Sequence, residues 1–151
     1  MSTLTKDGYA RFKEEHDDLV KNRVSALQDM VRMRELGDLS ENAGYRASRS
    51  KLRRIDGRIR FLEKLLRTSR VAHDRVGVLQ RINIGTLVEL RDGSKTLEYR
   101  LVDSVESDIV HGRISVRSPL GKALLRKQVG EIVQVHTPGG IRSVVVISLK
   151  D

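Results

Sequence analysis

The sequence predicts an α+β chain whose helical and β parts are segregated: a long antiparallel helical hairpin, then a small, mainly antiparallel sheet with one short helix. Three observations carry this. Apolar or small positions repeat at helical spacing in two stretches over residues 9–66. A Gly-containing break at 37–42 separates the two stretches. From residue 85 onward, short runs rich in β-branched residues alternate with turn residues.

In the first stretch Tyr9, Phe12, Leu19, Ala26, Met30 and Met33 follow steps of three and four, with His16 and Arg23 in the two intervening heptad places. Thr5 suits the cap of this helix and Gly37 its end. In the second stretch the seam is cleaner: Tyr45, Ser48, Leu52, Ile55, Ile59, Leu62 and Leu66. Two such stripes joined by a few residues pack as an antiparallel coiled-coil hairpin, because each covers the apolar seam of the other. At 1.5 Å per residue, arms of this length project roughly 45 Å, with residues 37–42 at the tip. The helical period fades from Thr68, so the hairpin is assigned to residues 1–75 and the second module to 76–151.

The second module reads as GTLVEL, KTLEYRLVD, RISV, GEIVQVHT and IRSVVVISL, with turns at Asp92-Gly93 and Pro138-Gly139-Gly140. Ser118 as cap and Pro119 at the first helical position open a short helix in SPLGKALLRK. This module contains no Phe or Trp and only Tyr99 among its large rings, so its core rests on Val, Ile and Leu.

Composition excludes several classes of function. The chain has no cysteine, which removes disulfides, thiolate metal sites and thiol nucleophiles, and suits a cytoplasmic protein. There is no run of 18 apolar residues and no signal-peptide pattern, so no membrane role is expected. The four histidines lack zinc spacing. A formal charge of +9 points to a polyanionic partner, most often nucleic acid. Nearly all of that excess lies in residues 46–70, where ten basic groups face only Asp56 and Glu63. Arg46, Arg49, Arg53, Arg60 and Lys64 recur along one face, with Arg34 flanking the tip. Such a stripe attracts a phosphate backbone independently of sequence; the bland reading is a solvated coiled-coil face.

The tip carries Asp38 and Glu41, and two readings of that pair stand side by side. In one, Asp-Leu-Ser-Glu is a capping box, Asp38 accepting from the amide three residues on and Glu41 reaching back. In the other, the two carboxylates are hard oxygen donors for Mg²⁺, too few to hold it alone but able to complete a site on a second macromolecule that already carries a metal and a phosphodiester.

The chain resembles the bacterial Gre transcript-cleavage factors. The likeness is carried by GYARFKEEHDDL, GDLSENAGY, SKLRRIDGRIRFLEKLL, ISVRSPLGKALLRKQVGE and HTPGG, and it covers essentially the whole sequence. What the resemblance implies is a coiled-coil hairpin followed by an FKBP-like domain, acting as a monomer on bacterial RNA polymerase. The globular part would dock at the mouth of the secondary channel and the hairpin would pass down it. There the tip would stimulate the polymerase's own Mg²⁺-dependent hydrolysis of the RNA 3′ end in backtracked complexes, so that the chain is not itself the enzyme. By the same resemblance Asp38 and Glu41 are the catalytic acids sharing Mg²⁺, and Ser40 and Asn42 support the tip. Arg34 and Arg49 match basic positions that meet RNA, with Arg46, Arg53 and Arg60 extending that surface. Ser118, Pro119 and Leu120 fall in the polymerase-docking segment. Gly44 and Arg117 depart from the family pattern, which has an acid at the first and Asp or Asn at the second. The long basic stripe looks more like the GreB branch.

Two other functions compete. One is a channel-binding regulator that occupies the polymerase without stimulating cleavage; retention of both tip acids argues against it. The other is a prolyl isomerase, which needs an aromatic-lined pocket that Tyr99 alone does not provide.

Overall fold

The structure is a computed structural model and describes residues 1–37, 41–73 and 79–151. Contacts divide the chain into two compact units, Tyr9–Thr68 and Met1–Gly8 with Ser69–Asp151. The boundary predicted at 75/76 lies outside the described residues. Contacts also assign the first eight residues to the β unit rather than to the hairpin. The reason is a two-stranded parallel ladder that the sequence reading missed: β1, Thr3–Leu4, pairs with β2, Arg70–Val71. No described helix is long and apolar enough to cross a membrane.

The hairpin consists of α1, Lys6–Glu35, and α2, Ala43–Thr68. In α2 the predicted seam holds: Leu52, Ile59 and Leu62 are buried and Tyr45, Ser48, Ile55 and Leu66 half-buried, with Leu65 adding a further buried position. The α1 seam is thinner, with only Ala26 fully buried and Phe12, Leu19, Met30 and Met33 half-buried. Polar pairs along the seam edges set the antiparallel sense. Glu15 receives a bidentate pair from Arg58 (2.6 and 2.9 Å), and Arg23 donates to Asp56 (2.6 Å), so later residues of α1 meet earlier residues of α2. Arg58 also lies 5.1 Å from the Phe61 ring centroid, and its hydrogen bond to Glu15 raises its pKa further.

The start of α1 is capped as predicted, with an addition. Thr5 Oγ1 accepts from Gly8 N (2.9 Å), and the same hydroxyl donates to the buried Glu106 (2.6 Å), which also accepts from Thr5 N (2.7 Å). A carboxylate at a helix N-terminus complements the positive end of the peptide dipoles. A Cβ at Gly8 would run into that carboxylate.

The β unit contains β3 (Leu87–Asp92), β4 (Lys95–Val102), β5 (Arg113–Ser115), β6 (Ile132–Thr137) and β7 (Gly140–Lys150). Their order is β5-β4-β3-β7-β6, antiparallel except for the parallel β4–β5 pair, with a register shift at Glu89/Leu90. Each predicted run thus becomes a strand. Alternate residues Val88 and Leu90, Val133 and Val135, Val144 and Val146 point into one core with Ile82, Leu101, Ile114 and Leu124. Two 3₁₀ turns, Ser104–Glu106 and Ile109–His111, occupy a stretch whose sequence shows no period.

The short helix α3, Pro119–Leu124, starts as its sequence predicts. Ser118 Oγ accepts from Gly121 N (3.0 Å) and donates to Ser115 O (2.7 Å). Gly121 is required by proximity: a Cβ there would overlap the Ser115 carbonyl. The helix leaves through a turn closed by Lys127 N to Leu124 O (3.0 Å). Leu125 has φ −54°, ψ 129° and Arg126 φ 68°, the geometry of a type II turn. Glycine is favoured at that position; an L-side chain in the left-handed region costs about 1–2 kcal/mol.

Candidate functional site: the hairpin tip, its basic arm and an apolar cleft

Asn42 builds the described side of the tip. Its Oδ1 accepts from Tyr45 N (2.9 Å) and its carbonyl from Arg46 N (3.1 Å), which makes it the N-cap of α2. Its Nδ2 donates across to Met33 O in the last turn of α1 (2.7 Å). One side chain therefore starts the second helix and ties it to the end of the first. This corrects the capping-box reading: with α2 beginning at Ala43, Glu41 precedes the cap instead of standing three residues inside it. Asp38 and Ser40 lie outside the described residues. Glu41 is exposed and forms no ion pair among the described residues. Gly44 falls in the first turn of α2, where a Cβ would come 3.1 Å from Met33 Sδ, the mobile end of a flexible side chain.

Asn42→Ala is expected to remove the cap and the cross-helix bond together, lowering hairpin stability by about 1–3 kcal/mol. Hydrogen exchange of the Tyr45 and Arg46 amides should accelerate, while amides of the β unit should not change.

Along α2, Arg46, Arg49, Arg53, Arg60 and Lys64 are all exposed, and at 3.6 residues per turn they fall within roughly 60° of arc. The only two acids of α2 are turned toward α1, Asp56 to Arg23 (2.6 Å) and Glu63 to His16 (3.7 Å). Arg34, Arg46, Arg49, Arg53 and Arg60 form no ion pair among the described residues. Ordinary exposed helices mix signs to avoid self-repulsion. An uncompensated row is a built electrostatic surface.

In the β unit, the Ser118 hydroxyl caps α3, and the predicted docking residues Ser118, Pro119 and Leu120 all line an apolar cleft of about 290 Å³. Tyr99, Ile109, Ile114 and Val135 add to its apolar wall. Tyr99 is the only Phe, Tyr or Trp among the residues that line it, with the His136 imidazole nearby on the same wall. Ile109 and Val110 are 75% and 90% exposed. Sequence reasoning passed over them, although an Ile-Val pair inside the polar run SVESDIVHGR is itself a signal. Asp108 stations this turn: it accepts from His111 N (3.3 Å), His111 Nδ1 (2.7 Å) and Arg113 (2.8 Å). The His111 hydrogen bond, with Arg113 behind it, holds the Asp108 carboxyl below its ordinary pKa.

Comparison with known proteins accounts for both units. Residues 2–71 match the family described as transcription elongation factor, N-terminal, and residues 78–151 match transcription elongation factor, GreA/GreB, C-term. Transcription elongation factor GreA of Chloroherpeton thalassium is 41% identical over 150 residues, covering 97% of this chain and 95% of that protein. GreA of Prosthecochloris aestuarii is 43% identical over 145 residues, covering 91% and 89%. Among solved structures, GreA factor homolog 1 of Thermus thermophilus aligns over 99% of both chains at 28% identity and a TM-score of 0.46. Both of these relatives carry the GreA name. With one family model matching residues 2–71, the other residues 78–151, and a relative 41% identical over nearly the whole length, the chain belongs to the GreA/GreB family of transcription elongation factors.

Proposed function

We propose that the chain enters the secondary channel of bacterial RNA polymerase and stimulates hydrolysis of the 3′ RNA in backtracked complexes, the polymerase supplying the hydrolytic centre. The observation that carries this reading is the conjunction at the hairpin tip: an exposed Glu41 next to the Asn42 clamp, at the head of a basic row, with neither the acid nor the row's arginines ion-paired among the described residues.

Each part has a separate task. Asn42 holds the two helices together so that the acid beside it is presented from a fixed support. Arg46, Arg49, Arg53 and Arg60 attract the phosphates of extruded RNA, with Arg34 at the end of α1 meeting the same strand. Pro119 and Leu120, with Ile109, offer an apolar surface to the polymerase. The donor set at the tip fits a shared divalent cation, because Asp38 and Glu41 are hard oxygen ligands and two carboxylates leave the remaining positions to a partner and phosphates. When bound, Mg²⁺ supplies charge stabilisation and a more acidic water. Glu41 and Asp38 would contribute negative oxygen and a hydrogen-bond acceptor for that water.

The test is a halted polymerase complex, backtracked by a few nucleotides and supplied with Mg²⁺, to which the protein is added. Shortening of the RNA from its 3′ end, dependent on both polymerase and metal, is the expected result. Tight polymerase binding without shortening would establish instead a regulator that only occupies the channel.

A further inference from the structure

A second basic site lies in the β unit and shares no residue with the tip, the basic row or the apolar cleft. Arg81, Arg126 and Lys127 line one concavity with Leu125, Gln128 and Glu131. They are brought together by backbone pairing: Arg126 N donates to Ile82 O (2.8 Å) and Ile82 N to Lys127 O (2.9 Å), with the Ile82 side chain fully buried beneath. The single acid is already engaged, its carboxylate accepting from Gln128 N (2.5 Å) and lying 3.6 Å from Lys127 Nζ. Arg81 and Arg126 are exposed at the rim.

Arg126 is the informative residue. It is the one non-glycine residue with positive φ among the described residues, and it holds the turn position where glycine would be free of strain. An arginine kept in a conformation it disfavours implies that its side chain has a use. Three cations against one engaged acid leave a local charge near +2, which a phosphate group matches better than a single carboxylate does. Two guanidinium forks also suit a tetrahedral oxyanion with several acceptor oxygens.

We infer that Arg81, Arg126 and Lys127 form a phosphate-binding site on the β unit, one that takes either a free phosphate group or a phosphate of a nucleic-acid backbone. The site does not depend on the tip or on cleavage.

The test uses the full chain with Arg49→Gln and Arg53→Gln already introduced, so that the hairpin row contributes less. Amide shifts are followed by NMR during titration with inorganic phosphate and, separately, with a short single-stranded RNA. Saturable shifts centred on residues 81–83 and 126–128 are expected with phosphate. Arg126→Gly should weaken that binding by at least about fivefold while the melting temperature stays the same or rises, since glycine relieves the turn; a loss of about 1.4 kcal/mol per tenfold sets the scale. Arg81→Gln, which leaves the turn untouched, should weaken it similarly. If RNA also binds there, and Arg126→Gly flattens the slope of log K against log salt by about 0.7, the source is a nucleic-acid backbone. If phosphate binds but the RNA slope is unaffected, the source is a free phosphate. Absence of shifts at these amides with either probe overturns the site, and so does a poly-glutamate peptide that shifts them more strongly than phosphate, which would mark an acidic protein surface as the partner.

Discussion

Glu41→Gln and Asp38→Asn are each expected to reduce RNA shortening in backtracked polymerase complexes by about 10²-fold or more, the usual loss when one group that stabilises developing charge is removed. Both substitutions preserve shape and hydrogen-bonding capacity while deleting the negative oxygen. Glu41 lies outside the first turn of α2 and makes no ion pair among the described residues, so its neutralisation leaves the fold unaltered. Competition between the variant and the wild-type protein for polymerase checks that docking survives. Raising Mg²⁺ should partly rescue either single variant, since a missing ligand weakens the metal's affinity before it abolishes chemistry. Retention of full cleavage by the double variant would sink the proposed mechanism. Loss of cleavage together with loss of binding would point instead to a docking role for the tip.

The largest effect on stability is expected at Gly121. A methyl group there would overlap the Ser115 carbonyl, and neither side can yield cheaply. Ser115 is held in the parallel ladder opposite Val102 and accepts the Ser118 hydroxyl, while α3 is anchored by the fully buried Leu124. Gly121→Ala should therefore cost about 3 kcal/mol, the upper range for overpacking. In a unit of this size that lowers the melting temperature by more than roughly 10 °C. Pro119 and Leu120 move with the helix, so polymerase affinity should fall as well. Gly57→Ala is the matched control: a Cβ there meets nothing within 4 Å, and alanine in the interior of α2 should raise hairpin stability by about 0.5–1 kcal/mol. Calorimetry reads both, with far-UV circular dichroism separating the helical from the β transition. A Gly121→Ala protein as stable as the wild type would mean that β5 and α3 are not packed this closely.

The parts of the molecule that repeat were legible in its sequence. The α2 seam, five strands and the Ser118-Pro119 start of α3 follow from periodicity, β-branched runs and cap chemistry, all local properties. What escaped was decided by distant partners. Strands β1 and β2 are two residues each, too short to show any period, and exist because they find each other. Glu106 looks like a surface acid in SVESD, and its hydrogen bonds with Thr5, 101 residues away, are a reason for its burial that no local pattern shows. At the tip the local signal misled. Asp-Leu-Ser-Glu fits a capping template, yet Asn42 takes the role because its amide can also reach the Met33 carbonyl on the facing helix. The Arg126 turn was equally hidden, since nothing local in LLRKQ marks a left-handed residue.

The pairing of Thr3 with Arg70 makes the sixty residues from Tyr9 to Thr68 an excursion that departs from and returns to a single small ladder. Arm length is then uncoupled from the globular fold. Matched deletion or insertion of one heptad in each arm changes the reach of the hairpin by about 10 Å and leaves every sheet register intact. Arm length is thus a quantity that evolution, or an engineer, can set independently.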